Sequence, residues 1–229
     1  MYNAPKRQTR TGPTSSPYGE WRPVEPAVAP HKPEGPVSQG VIEKLVKLHD
    51  HYLRGAPGGR RLFAGLRDFS RCRIRDRDLS MSDLSGTKLF SAQLGGTKFI
   101  EASLYGSDLR LAEMAASDFS RADLRGACLR GAVMSGAVLV EADLREGVIA
   151  RRDNGGELAE VTFDDAVSAE LSAAKMNAAD LSRAKVADAF VMQTDLSDTV
   201  LRGAKFMRAN LSNAVLRGAD LSDADFSSA

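Results

Sequence analysis

The sequence predicts an all-β solenoid, a chain wound into a coil of square cross-section, preceded by a short capping helix and a proline-rich tail. Three observations predict it. From residue 65 onward a large apolar residue returns at every fifth position, from Phe69 through Leu124 to Leu144, and again in a shifted frame from Leu171 to Phe226. Two places before most of these stands a small residue, such as Ala92, Ala122, Ala179 or Ala209. The rarer core types then repeat at intervals of 20: Phe99 with Phe119, Met114 with Met134, Phe206 with Phe226.

A period of five fits neither regular element. On an α-helix each step would rotate the apolar residue by roughly 140° and smear it around the cylinder. On a flat strand an odd period sends successive residues to opposite faces. Both conflicts vanish if the chain turns a corner once per repeat, with the large residue and its small partner always facing inward. Like residues stack on their own kind, so the 20-residue recurrence sets four repeats per turn, rising about 4.8 Å per coil. Phe99, Phe119, Leu124, Phe206 and Phe226 are the expected structural core.

Residues 1–38 hold eight of the nine prolines and almost no apolar periodicity, so they read as a disordered, partly polyproline-II tail. The sole tryptophan, Trp21, lies there; it either anchors a linear motif in a partner or touches its own domain. Residues 39–64 form a capping helix and glycine turn: Val41, Ile42, Leu45, Leu48 and Tyr52 follow helical spacing, Ser38 suits an N-cap, and Gly55 a stop. The solenoid follows in two parts, 65–151 and 171–229. Residues 152–170 form an interrupting loop and irregular coil whose register stays open, with Ala159–Val161 or Phe163–Ala166 as alternative restarts.

The repeats Ala122-Asp123-Leu124-Arg125-Gly126, Ala179-Asp180-Leu181-Ser182-Arg183, Ala209-Asn210-Leu211-Ser212-Asn213 and Ala219-Asp220-Leu221-Ser222-Asp223 resemble the pentapeptide-repeat family, whose motif is Ala-(Asp/Asn)-Leu-X-X. The resemblance implies a right-handed quadrilateral β-helix over about 145 residues. The stretch from Leu48-His49 through Gly58-Gly59-x-Arg61 is also similar to the lead-in helix and glycine turn that precede some such arrays.

Three departures from the pattern are candidate contact elements. Arg151, Arg152, Asp153 and Asn154 open the interruption, which is either a protruding contact loop or a tolerated insertion. Arg71, Arg73, Arg75 and Arg77, within a run that also includes Arg60, Arg61 and Arg67, either grip an anionic partner or pair with the interleaved Asp68, Asp76 and Asp78. Apolar residues at outward positions (Phe90, Ile100, Val133, Val138, Val140 and Val148) either cluster as an interface or stand singly.

The chain carries 31 basic and 30 acidic residues, formal charge +1, so no overall field demands nucleic acid or a membrane. No run is long and apolar enough for a membrane span. Two cysteines, Cys72 and Cys128, form no disulfide framework and fit a reducing, cytoplasmic setting. The three histidines all precede the solenoid, no phosphate loop or nucleophile elbow is present, and the carboxylates are spread along a wall. The expectation is a non-enzymatic protein-interaction scaffold without cofactor or metal, its protein partner unidentified and nucleic acid unlikely.

Residues 153–229, with 13 acidic and 7 basic groups, keep a second possibility open. Some members of the resembling family mimic duplex DNA and bind type II topoisomerases. Finally, the repeat runs to Phe226 and Ala229 with no capping segment after it, which implies a homodimer through the C-terminal coil or a chain that is a fragment.

Overall fold

The structure, a computed structural model, describes residues 35–148 and 166–229. The proline-rich stretch with Trp21, and the segment holding Arg151, Arg152, Asp153 and Asn154, lie outside the described residues.

The repeats form a four-walled coil. Parallel bridges join residues 20 apart, and the four walls are headed by Phe63–Asp83, Asp68–Lys88, Arg73–Gln93 and Asp78–Lys98. Backbone hydrogen bonding explains the motif residue by residue. In the repeat Asp83-Leu84-Ser85-Gly86-Thr87 every N–H has a partner. Asp83 N donates back to Leu62 O (2.9 Å), Leu84 N forward to Ser103 O (2.8 Å), Gly86 N forward to Tyr105 O (2.7 Å), and Thr87 N across the corner to Leu84 O (3.0 Å). The remaining donor, Ser85 N, is taken by Asp83 Oδ1 at 3.0 Å. An Asp or Asn on the wall therefore caps its own corner, as Asx turns do.

The second corner residue of each repeat adopts positive φ, and twenty of these residues are not glycine. Such a conformation costs about 1 kcal/mol or more each. It persists because the corner N–H bonds the next coil, as Glu101 N does to Ser120 O at 3.0 Å. At the Gly96 corner a Cβ would meet the Asp76 carboxylate of the preceding coil, which would have to swing aside.

Inside, Phe99, Phe119, Leu124 and Phe206 are wholly buried. Phe99 stacks on Phe119 at 4.8 Å between ring centroids, and Phe206 on Phe226 at 5.1 Å. Phe226 differs from the others in being only partly buried against the core, because no further coil covers it among the described residues. Where Thr or Ser replaces the small Ala, some hydroxyls donate one coil back, as in Thr87 Oγ1 to Ala64 O (2.8 Å) and Ser117 Oγ to Leu94 O (2.9 Å), whereas those of Ser82 and Ser107 are buried without a partner among the described residues.

Helix α1 (Gln39–Leu53) covers the first coil, burying Ile42, Val46 and His49. Ser38 is extended at the N-cap position, but its side chain makes no capping bond; Gly55, at φ 64°, ends the helix. Gly59 passes so close to the Tyr52 backbone that no Cβ would fit. The first coil has no predecessor to bond with, and α1 supplies the substitutes. Gln39 Nε2 donates to Arg73 O at 2.8 Å, and Gln39 Oε1 accepts from Arg73 N at 3.0 Å. That carboxamide stands where the peptide of an earlier coil would stand, so the strand edge is blunted. Val37 N does the same for Asp68 O at 2.7 Å.

The interruption leaves the ladder intact. Cys128 bridges Glu170, 42 residues away, where 20 is the rule, and Asp143 then bridges Lys185. Twenty-two residues are thus inserted at one corner. Strand β1 (Gly147–Val148) pairs antiparallel with β2 (Ala166–Val167), Gly147 opposite Val167, closing the insertion at its base. The coil resumes at Ala169-Glu170-Leu171. Of the two suggested restarts, Ala159–Val161 and residues 163–165 lie outside the described residues, and Ala166 belongs to β2. Leu171, following Leu129 in its core column, fills the place that the five-residue count had given to Ile149.

Candidate interaction surfaces

The walls carry the charge, and most of it is paired locally. Asp108, Asp123 and Asp143 each cap a corner and also take a two-pronged contact from the arginine two residues on, Arg110, Arg125 and Arg145, at 2.7–2.9 Å. Burial works to raise the pKa of Asp108 and Asp143, but the arginine and the corner N–H outweigh it and hold both carboxyls below the ordinary range. Arg125 also lies over the Tyr105 ring at 5.2 Å. On the wall headed by Asp78, Arg121 meets Glu101 at 2.6 Å and Arg183 meets Glu141 at 3.1 Å, one coil below the other. Exposed pairs of this kind contribute about 0–1 kcal/mol each. Their larger effect is to neutralise the surface.

In the C-terminal coils the partner two residues on is serine. Ser182, Ser197, Ser222 and Ser227 donate both N–H and hydroxyl to Asp180, Asp195, Asp220 and Asp225. The hydroxyl and N–H of Ser222, with Arg202, pull Asp220 down to about 2. Asp180, Asp195, Asp198 and Asp223 have no basic group at ion-pair distance among the described residues.

Groups of catalytic type are placed for structure. His49 is buried, accepts from Leu62 N at Nδ1 (3.1 Å) and donates from Nε2 to the Ser80 carbonyl (3.0 Å). Those partners fix a neutral ring, and burial lowers its pKa despite the Ser80 carbonyl and the carboxylates of Asp78 and Asp50. Burial pushes the Cys72 thiol up to about 12 and raises that of Cys128, so neither supplies a ready thiolate. Among the described residues no three His, Cys, Asp or Glu side chains converge as a metal site, and no helix is long and apolar enough to cross a membrane.

Among the described residues, two of the grooves in the walls bear on recognition. One, of about 520 Å³, runs between α1 and the first coil and gathers Arg73, Arg75 and Arg77 with Lys47 and Arg54 from the helix. The other, of about 620 Å³, lies at the base of the insertion, where Arg110, Cys128, Arg130, Glu170 and Phe190 meet; Phe190 is 42% exposed. Arg71 sits at a corner of another wall and joins neither groove. The outward apolar residues do not assemble into one patch: Phe90 follows the wall headed by Asp68, Val133 lies on that headed by Arg73, and Ile100, Val138 and Val140 on that headed by Asp78. All five are half-buried. No sequence pattern announced either groove, because each joins residues distant along the chain.

The family described as pentapeptide repeats matches the sequence in eight copies, over residues 68–106, 82–114, 117–147 and 194–229. No curated protein matches. Among solved structures, a pentapeptide repeat protein from the thylakoid lumen of Arabidopsis thaliana is 21% identical, over 68% of this chain and 74% of that one, with a TM-score of 0.35. QnrB1, a plasmid-mediated fluoroquinolone resistance protein, is 18% identical over 71% of this chain and 89% of its own, with a TM-score of 0.44. HetL, involved in heterocyst differentiation regulation in the cyanobacterium Nostoc sp. strain PCC 7120, is 23% identical over 82% and 94%, with a TM-score of 0.27.

Proposed function

This chain belongs to the pentapeptide-repeat family, with the right-handed β-helix solenoid which that membership implies, and from that premise we propose that it is a non-enzymatic protein-interaction scaffold. One observation carries the proposal. The unbroken ladder from Phe63 to Asp225 builds four rigid walls around a filled core, leaving the outward side chains as the part free to differ between repeats. Carboxylates used to cap corners and pair with arginines are not held in a dry cleft that would tune them for chemistry. The segment between Val148 and Ala166, its ends paired at Gly147–Val167, adds a contact element to this reading, since loops on rigid frames commonly carry recognition.

The test is affinity capture from lysate with the full chain and with a variant lacking residues 148–169, which removes the insertion and keeps the register. A partner held by the full chain and lost from the deletion supports the reading. Turnover of a small substrate by the purified chain, destroyed by one wall substitution, would contradict it.

The unpaired Asp180, Asp195, Asp198 and Asp223 favour a second reading, a DNA-mimicking modulator of a type II topoisomerase. The arginine-neutralised middle coils count against it. A gyrase supercoiling assay decides between the two. Self-association through the C-terminal coil, where Phe226 is half-buried and Leu221 is 43% exposed, is a further part of the proposal. Light scattering should then show a dimer, converted to monomer by Phe226→Glu.

A further inference from the structure

The groove between α1 and the first coil has a charge that its own residues do not balance. Five cations line it: Lys47, Arg54, Arg73, Arg75 and Arg77. Its acids are Glu43 and Asp50. Asp50 reaches Arg77 only at 3.6 Å, and Arg75 turns to Glu113, two coils away and outside the groove, at 2.9 Å. The side chains of Arg54 and Arg73 have no ion-pair or hydrogen-bond partner among the described residues, although the Arg73 backbone is fully engaged by Gln39. Elsewhere on the walls Arg110, Arg125 and Arg145 are locked onto carboxylates.

We infer that this groove is a docking site for an acidic peptide segment of a partner protein. The inference rests on the scaffold reading and names one of its contact sites. Planar guanidiniums present paired donors that suit carboxylates. A volume of about 520 Å³ accommodates a short segment and lies within the usual range for bound ligands. A carboxylate-bearing peptide fits better than a nucleic acid. Glu43 and Asp50 interrupt the cationic surface, and Asp76 and Asp78 neighbour it on the chain; a continuous phosphate track would meet all four, whereas spaced carboxylates can pass between them. Because the helix is held to the coil by Gln39 and His49 rather than by these arginines, the site can be altered without loosening the cap.

The experiment is fluorescence anisotropy of the full chain with a labelled short peptide rich in Asp and Glu. Its Asn/Gln counterpart and a single-stranded oligonucleotide of similar length are the controls. The acidic peptide should bind more tightly than either, with affinity falling as salt rises. The Arg54→Gln/Arg73→Gln/Arg75→Gln variant should bind it about tenfold more weakly or worse while melting at the wild-type temperature. If that variant fails to fold, Lys47→Gln/Arg54→Gln, confined to the helix surface, should show the same direction of change. Equal binding by wild type and a folded variant, or tighter binding of the oligonucleotide, would overturn the site. Failure here with partner capture from lysate intact would leave the scaffold reading standing.

Discussion

The middle coils and the C-terminal coils use the same corner but present different surfaces. In both, a wall Asp accepts the N–H two residues on. At Asp108, Asp123 and Asp143 that residue is Arg, which folds back and cancels the charge; at Asp180 and Asp195 it is Ser, which leaves the charge in place, while Asp220 and Asp225, also followed by Ser, take their cation from the coil before, Arg202 and Lys205. The corner bond is local, so the coil is indifferent to the choice. One position per repeat therefore sets surface charge with little consequence for the fold. Such separation of frame from surface is what a binding scaffold requires.

If the frame is the same in both regions, core damage should cost the same in both. Leu124→Ala and Leu181→Ala should each lose roughly 2–5 kcal/mol in denaturant unfolding. A large loss at Leu124 and a negligible one at Leu181 would show that the insertion splits the coil into unequal halves. Overfilling the small position, as in Ala122→Leu, should cost roughly 1–3 kcal/mol.

A second difference lies between the α1-covered first coil and the coils below it. His49 titrates at lower pH in the folded chain than its ordinary 6.5, because burial disfavours the charged ring. The unfolded chain thus takes up a proton first as pH falls. The stability that neutral His49 contributes is complete above pH 6.5 and is lost as pH drops from there toward the lowered folded value. Unfolding followed across that range should show this loss in the native chain and less of it in His49→Gln. An identical pH profile in the two would remove His49 from the account.

Smaller still is the effect expected at the arginines. Arg125→Ser should change stability by no more than about 1 kcal/mol, since the pair is partly exposed and Ser can still donate to Asp123. It should nonetheless make the middle wall more acidic, measurable as a shift in electrophoretic mobility. A large stability loss would mean the pairs hold the coil together.

Much of this was legible in the sequence for a physical reason: burial and corner geometry repeat with the chain, so the period of five and the small residue two places earlier report the core directly. The register of the insertion was not legible, because Ile149 and Leu171 both suit the same core slot, and it is the bridge from Cys128 to Glu170 that puts Leu171 there. The capping role of Gln39 was hidden as well, since one carboxamide bonding a distant backbone leaves no periodic trace. The arginine run was visible at Arg73, Arg75 and Arg77, but its meaning depends on Arg54 and Lys47, which only the packing of α1 brings alongside.

The central claim, that the outward side chains of a rigid coil are a protein-binding surface, is tested most directly by site-specific photo-crosslinking in cells. A photoreactive residue would be placed singly at Arg73, Val133, Phe190 and Asp195, covering two walls and both grooves. The account predicts crosslinks to the same partner protein from neighbouring positions on one wall or groove, and few from the rest. Absence of protein crosslinks at every position, in a chain shown to be folded, would contradict it.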